Sequence, residues 1–351
     1  MTYIAKPTVH HPALQKNAIG LTRRDYEGAI TTLCAGCGHD SVTAAIIQAF
    51  WELAIAPHRV AKLSGIGCSS KTPTYFLREA HGFNSVHGRM PAIATGASAA
   101  NRDLVYIGVS GDGDSLSIGL GQLCHAIRRN VHMLYVLENN GVYGLTKGQF
   151  SASADPGSLS KKGEANPMEA IDPALLALSL GATFVARSFS GDKAQLVPIL
   201  KAGLAHKGFA FVDVVSPCVT FNDHEGSTKS YAYTRENIVE VMSADFVPPA
   251  AEITTDYSEG SVRAVTLHDG SIVRLRKIAS DYDSTDRDRA YGYIRERQRA
   301  GEIVTGLLYL SPDSKDMHAQ ANTVATPLVD LPFESLCPGA AELDALQARM
   351  R

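Results

Sequence analysis

Two polar runs, each at the end of an apolar strand, limit what this chain can fold into. LVYIGVS (Leu104–Ser110) is β-branched and apolar, the pattern of a strand buried on both faces, and it runs into Gly111-Asp112-Gly113-Asp114. SLSIGLGQLCHAIRRN then reads as one helix ending on two arginines, which suit the negative end of a helix dipole. VHMLYVLEN (Val131–Asn139) is a second buried strand, closed by Asn140-Gly141-Val142-Tyr143-Gly144. Two parallel strands joined by a crossover helix place Asp112 and Asn140 at the strands' C-terminal ends. Open parallel sheets bind their ligands there.

A carboxylate, an amide oxygen and a main-chain carbonyl at this spacing can share one small hard cation. Magnesium takes about six oxygens in an octahedron and usually keeps phosphate oxygens among them. Gly111 and Gly113 let the main chain approach a diphosphate, whose charge the following helix N-terminus favours. Alone, Gly-Asp-Gly is an ordinary strand–turn–helix loop with acidic caps. Paired with Asn-Asn-Gly after the next strand, it resembles the signature of thiamine-diphosphate enzymes. On that resemblance Asp112, Asn140 and the carbonyl of Val142 hold Mg2+, while Gly113, Asp114, Gly144 and Leu145 lie along the cofactor.

The 351 residues suffice for one large α/β domain with an appendage, or for two domains. A content of 45% hydrophobic and 20% charged residues fits a soluble globular protein. The net charge of -3, without a Lys/Arg cluster, argues against a nucleic-acid partner. No run of about 18 apolar residues predicts a membrane span. MTYIAKPTVHHPALQK lacks the apolar core of a signal peptide, so a cytoplasmic protein with reduced thiols is expected.

Residues 1–30 read as an irregular arm. In LCAGCGHDSVTAAIIQAFWELAI, Asp40 or Ser41 is expected to cap a helix with Val42, Ala45, Ile46, Ala49, Phe50 and Leu53 at helical spacing. RVAKLSGIGCSSK reads as a strand entering a glycine-rich turn. GFNSVHGRMPAIATGASAANR reads as another turn, then a helix from near Pro91. After the central unit, TKGQFSASADPGSLSKKGEANP is too long for a mere connector. A helix (Asp172–Leu180), a strand (ATFVARS), a helix (Asp192–Lys207) and a last strand (Ala210–Cys218) continue the alternation. That order predicts a mostly parallel, doubly wound α/β sheet over residues 31–245. Residues 246–351 read as a C-terminal extension, with a β-hairpin around Asp269-Gly270, a charged helix, a short strand and a terminal helix.

Cys34-Ala-Gly-Cys37-Gly alone suggests a redox dithiol or half a zinc site. Cys68 (GIGCSS) and Cys218 (SPCVTF) stand in turns at strand C-termini, on the sheet edge that carries the Asp112 motif. Four thiolates suit zinc or a four-iron four-sulfur cluster, and softness does not choose between them. Cys124, in the crossover helix, and Cys337, in the Pro-rich tail, read as non-ligands.

CAGCG, GIGCSSK, VHGRMPAIATG, GDGDSLSIG, NNGVYGLTKGQFS and SPC, in this order over about residues 30–235, resemble the β subunit of 2-oxoacid:ferredoxin oxidoreductases, especially the 2-oxoglutarate type. The GEIVTGLLYL segment and the hairpin before it resemble that group's C-terminal extension. The resemblance implies a doubly wound sheet of the thiamine-diphosphate-binding type and a 4Fe-4S cluster on Cys34, Cys37, Cys68 and Cys218. It places Ile66, Gly67, Cys68 and Ser69 beside the cofactor, with His87 in contact with it. It assigns Lys71 and Lys147 to the carboxylates of the 2-oxoacid, and two cations suit the dicarboxylate 2-oxoglutarate.

The implied reaction is a reversible oxidative decarboxylation. Electrons left by the departing CO2 pass through the cluster to ferredoxin, and coenzyme A takes the acyl group. The glutamate that activates the cofactor's aminopyrimidine has no counterpart here, since Glu138 reads as a strand-end residue. An α subunit is therefore expected to supply it, in an αβ pair that dimerises to (αβ)2. Two other readings explain less. A non-redox thiamine-diphosphate decarboxylase or synthase leaves four cysteines idle, and a zinc-ribbon or ferredoxin-like module leaves the GDG…NNG pairing unused.

Overall fold

A single eight-stranded sheet organises the chain, in a computed structural model that describes residues 11–160, 162–242, 262–266, 272–276, 282–337 and 339–350. Its strands are β1 (Val60–Ser64), β2 (His81–Asn84), β3 (Val105–Gly111), β4 (Met133–Asn139), β7 (Phe184–Phe189), β8 (Phe209–Val215), β9 (Ile238–Met242) and β12 (Ile303–Leu310). Two short pairs lie outside it: β5 (Val142–Tyr143) with β6 (Gln149–Phe150), and β10 (Val262–Thr266) with β11 (Ile272–Arg276). The order is β2-β1-β3-β4-β8-β7-β12-β9, parallel except where β12 runs antiparallel to β7.

Period-2 alternation along the central strands feeds two separate cores. Leu134, Val136, Ala210, Val212 and Val214 face one core, which α1 (Gly38–Glu52) and α5 (Lys193–Ala205) cover. Met133, Tyr135, Leu137, Phe209 and Phe211 face the other. That second face carries α2 (Met90–Ala100), α3 (Leu120–Arg128), α4 (Pro173–Ser179) and α7 (Arg287–Arg299). The doubly wound, mostly parallel sheet read from the alternation of strands and helices is therefore present. Shorter helices complete the chain: α6 (Tyr231–Asn237), α8 (Met317–Ala321), α9 (Phe333–Leu336) and α10 (Ala340–Arg349). Among the described residues, no helix is long and apolar enough to cross a membrane.

Three local expectations need correction. Helix α1 starts at Gly38, before the expected cap at Asp40 or Ser41. A Cβ on Gly38 would stand 2.5 Å from Ser216 Oγ, so only glycine lets this turn press onto the loop after β8. The crossover is not one α-helix. Gly113–Ile118 forms a π-helical turn and Gly119 interrupts it before α3. A Cβ on Gly119 would lie 2.8 Å from Gly88 Cα, so the break lets the 87–88 loop approach. His81–Asn84, read as a turn, is a parallel edge strand whose exposed residues hide it from a hydrophobicity pattern. Residues 11–30, read as an irregular arm, include the buried Tyr26, whose hydroxyl accepts from Asn17 Nδ2 at 2.9 Å beside α1.

The hairpin strands pair antiparallel as the alternation suggested, but Asp269 and Gly270 lie outside the described residues. The same holds for residues 1–10 and for the expected boundary at 245/246. Strand β12 pairs with β7 and β9, so the C-terminal segment is stitched into the main sheet. Leu308 on β12 is fully buried against the second core. Leu308→Ala should therefore cost about 2–5 kcal/mol of unfolding free energy, read as a lowered urea midpoint. An unchanged midpoint would mean that β12 is dispensable to the core.

Candidate active site

Asp112 follows β3 and is almost wholly buried. Among the described residues its hydrogen bonds all fall on Oδ2: from Gly141 N at 2.8 Å, from Ser153 Oγ at 2.6 Å and from Ser151 Oγ. Burial pushes its carboxyl up, while these donors and the Lys229 charge pull it down. A buried carboxyl held by three donors on one oxygen, with its residue lining a cleft, suits a cation at the other oxygen. Asn140 Oδ1 accepts from Val142 N at 3.1 Å, and the Asn140 carbonyl accepts from Asn222 Nδ2 at 2.7 Å. Gly141 between them has φ +76°, a backbone state that glycine adopts without strain.

Asp114, two residues on, ties two loops to the end of β3. Its Oδ1 accepts from Gly88 N at 2.7 Å and Ile66 N at 3.3 Å and pairs with His87 Nδ1, while Oδ2 accepts from Ser110 Oγ at 2.6 Å. The result is a cleft of about 110 Å³ whose lining includes all the nominated magnesium and cofactor residues. These are Asp112, Asn140 and Val142, then Ile66, Gly67, Cys68 and Ser69, then His87, Gly113, Asp114, Gly144 and Leu145. Whole-ligand pockets occupy roughly 300–1,000 Å³, so this cleft is a partial site. Ile66 and Leu145 on its lining are 38% and 52% exposed, an apolar rim left uncovered by the described residues.

The cysteine loops meet the same cleft. A Cβ on Gly144 would stand 3.5 Å from Cys218 Sγ and 3.6 Å from Cys68 Sγ, so both thiols border one glycine of the cofactor loop. Cys37 N donates to Cys34 O at 3.0 Å, and Thr220 Oγ1 donates to Cys34 Sγ at 3.4 Å. Burial pushes the Cys37 thiol up to about 12, with the charges of Glu138, Cys218 and Asp40 adding to it. Burial also raises Cys68, assisted by Cys218 and Cys34 and opposed by Lys71. Such thiols give up their protons only when a metal takes the charge. Among the described residues, no three His, Cys, Asp or Glu side chains gather tightly enough for one metal ion. A four-iron cluster bonds each thiolate to a different iron and asks for a wider set. Cys124 lies on α3 and Cys337 follows α9, away from these loops in the chain.

The two nominated lysines do not line the cleft. Lys71 Nζ donates to Thr32 Oγ1 at 3.2 Å. Lys147 is exposed, with its N–H on Gly144 O at 3.2 Å and φ at +82°. A lysine in the left-handed region is strained by about 1–3 kcal/mol, an outlier of the kind that collects at ligand sites.

Several site residues had no readable signal in the sequence. Ser151 and Ser153 lie in the long polar loop, where nothing but its length marks them. From Ser153 a buried chain of bonds leads inward: to Asn139 Oδ1 at 2.8 Å, from Asn139 Nδ2 to Asp213 Oδ1 at 3.1 Å, and from Arg187 Nε to Asp213 Oδ2 at 2.6 Å. Asp172 pairs with the other side of Arg187 at 2.7 Å, and the two carboxylates hold the guanidinium charge firmly. His39 and Glu138, both fully buried, stand 3.4 Å apart beneath the cysteine loops. Burial raises the Glu138 carboxyl well above its usual range and lowers His39 to about 4, so the imidazole is neutral near pH 7.

The thiamine pyrophosphate enzyme family, by its C-terminal TPP-binding domain, matches residues 65–214. The 2-oxoglutarate oxidoreductase subunit KorB of Mycobacterium tuberculosis is 39% identical over 334 residues, covering 90% of this chain and 86% of that protein. The 2-oxoacid:ferredoxin oxidoreductase β subunit of Saccharolobus solfataricus is 44% identical over 267 residues, 74% of this chain and 87% of that one. Among solved structures, the 2-oxoglutarate:ferredoxin oxidoreductase of Magnetococcus marinus, with 2-oxoglutarate, coenzyme A and succinyl-CoA bound, superposes with a TM-score of 0.70. It is 30% identical and covers 89% of this chain and 91% of its own. Identity of 39% over 90% of this chain and 86% of the mycobacterial subunit shows the family: the chain belongs to the β subunits of the thiamine-diphosphate-dependent 2-oxoacid:ferredoxin oxidoreductases.

Proposed function

We propose that this chain, with an α subunit, catalyses the reversible conversion of 2-oxoglutarate and coenzyme A to succinyl-CoA and CO2 in the cytoplasm. Asp112, Asn140 and the Val142 carbonyl would hold Mg2+ against the cofactor diphosphate. Cys34, Cys37, Cys68 and Cys218 would hold a 4Fe-4S cluster that delivers electrons to ferredoxin. When bound, thiamine diphosphate supplies the electron sink for loss of CO2, and the cluster takes electrons away singly. The chain's own part is to bind, orient and exclude water. Asp114 would keep the 66 and 87 loops and the end of β3 around the cofactor, and Leu145 would offer an apolar surface at the mouth.

One observation carries the redox reading: Cys68 and Cys218 both border Gly144, a residue of the cofactor cleft. Thiols used for structure alone have no reason to crowd the cofactor loop. The choice of 2-oxoglutarate rests on the names of the relatives and on the two lysines. The partial cleft and its apolar rim support an α subunit that completes the site, in an (αβ)2 assembly.

Anaerobic co-expression with the α subunit, then a screen of 2-oxoacids reducing a viologen dye, tests the whole reading. The expected complex is brown, and 2-oxoglutarate with coenzyme A is its best substrate pair. The β chain alone, loaded with thiamine diphosphate and Mg2+, should not decarboxylate any 2-oxoacid, and turnover by it would remove the need for a partner. Lys147→Ala should raise KM for 2-oxoglutarate about tenfold or more and leave that for pyruvate little changed, the loss of one charged hydrogen bond. An equal rise for both acids would deny Lys147 a role in the choice. In the complex, Ser151→Ala with Ser153→Ala should weaken Mg2+-dependent cofactor binding about ten- to a hundredfold, by calorimetric titration. Unchanged affinity would mean that Asp112 is held by other groups.

A further inference from the structure

His39 stands where three cysteine-bearing loops converge, although it belongs to none of the expected ligand sets. It lies at the start of α1, directly after the Cys34–Gly38 turn, and its side chain is 1% exposed. Nδ1 is 2.7 Å from the hydroxyl of Ser216, in the loop that carries Cys218. Nε2 is 3.2 Å from the hydroxyl of Ser69, the residue after Cys68. One ring nitrogen donates and the other accepts, and a serine hydroxyl can take either part. Glu138 closes the node from β4, with its carboxyl 3.4 Å from Nδ1 and bonded to Thr72 Oγ1 at 3.1 Å. Gly38 N reaches Pro217 O at 3.4 Å, a second tie between the same two loops.

We infer that His39 is a positioning residue that pins the loops of Cys37, Cys68 and Cys218 to one buried point, presetting the cysteine cage before iron enters. The inference rests on the cluster reading above and deepens it. The three loops come from distant parts of the chain, and each thiol lies at most two residues from an atom of the node. A cage so held loses little freedom when the cluster forms, and it resists opening when a ligand loop frays. Truncating the ring would leave the Ser216 and Ser69 hydroxyls buried without this partner and free the three loops from one another.

The αβ complex prepared anaerobically, as wild type, His39→Ala, His39→Asn and His39→Gln, decides the matter. Each protein is read for iron content, rate of iron loss to a chelator, the electron paramagnetic resonance of the reduced cluster, Mg2+-dependent cofactor affinity and thermal midpoint. His39→Ala should lose iron about tenfold or more faster and show a broadened signal, with a smaller change in cofactor affinity than in iron loss. Asn, which reaches towards Ser216 in place of Nδ1, and Gln, which reaches towards Ser69 in place of Nε2, should each restore part of the retention. If His39→Ala does not fold, Ser216→Ala, which cuts one tie only, takes its place and should also lose iron faster. Wild-type iron loss and an unaltered signal in the folded variant would overturn the inference. A wild-type complex without iron would overturn the cluster reading itself.

Discussion

The hydrogen bond from Gly141 N to Asp112 Oδ2 sets the geometry on which the rest of this structure depends. It joins the loops after β3 and β4 at adjacent strand ends, so the Asp112 carboxylate, proposed to bind the cation, and the Asn140 turn cannot drift apart. Burial makes that carboxylate expensive to ionise, and three donors on one oxygen offset part of the cost. A divalent cation would offset the remainder, which supports the magnesium proposed for this carboxylate.

Beneath this carboxylate the sheet is polar where a core would ordinarily be apolar. Ser153, Asn139, Asp213, Arg187 and Asp172 follow one another in hydrogen-bond contact, all buried or nearly so. A buried ion pair stabilises little on balance, yet removing one member leaves an uncompensated charge, at about 3–5 kcal/mol. The arrangement is better understood as an orienting device. It fixes Ser153 Oγ, and through it Asp112, against rotation. The apolar alternation of β4 and β8 continues on both sides, so the polar chain threads the sheet without opening it.

Much of this was legible because it is local. The Asp112 and Asn140 motifs carry their meaning in a few consecutive residues, and buried parallel strands announce themselves as apolar runs. The loop places of Cys68 after β1 and Cys218 after β8 were readable from the strand runs that precede them. What escaped depends on distant contacts. Nothing near Ser216 signals His39, since they meet only when α1 docks on the end of β8. Strand β2 escaped because its side chains are exposed, and the π-helical turn because its cause, the Gly88–Gly119 approach, spans two loops. Asp40 and Ser41 looked like caps by propensity, and tertiary contact at Gly38 overrode them.

Charge at the shared sheet edge also bears on direction in the proposed reaction. A cluster's potential falls when negative charge and low polarity surround it, because both oppose the arrival of an electron. Cys37 and Cys68 sit in surroundings that resist negative charge, as their raised thiols show, and Asp112 and Asp114 stand across the adjoining cleft. Lys71 works the other way at Cys68. In the proposed holoenzyme the cofactor's diphosphate would meet the magnesium charge, so a filled cleft would leave the negative surroundings of the cluster little changed. Gly144, bordered by Cys68 and Cys218, is where the proposed cofactor and cluster sites would adjoin.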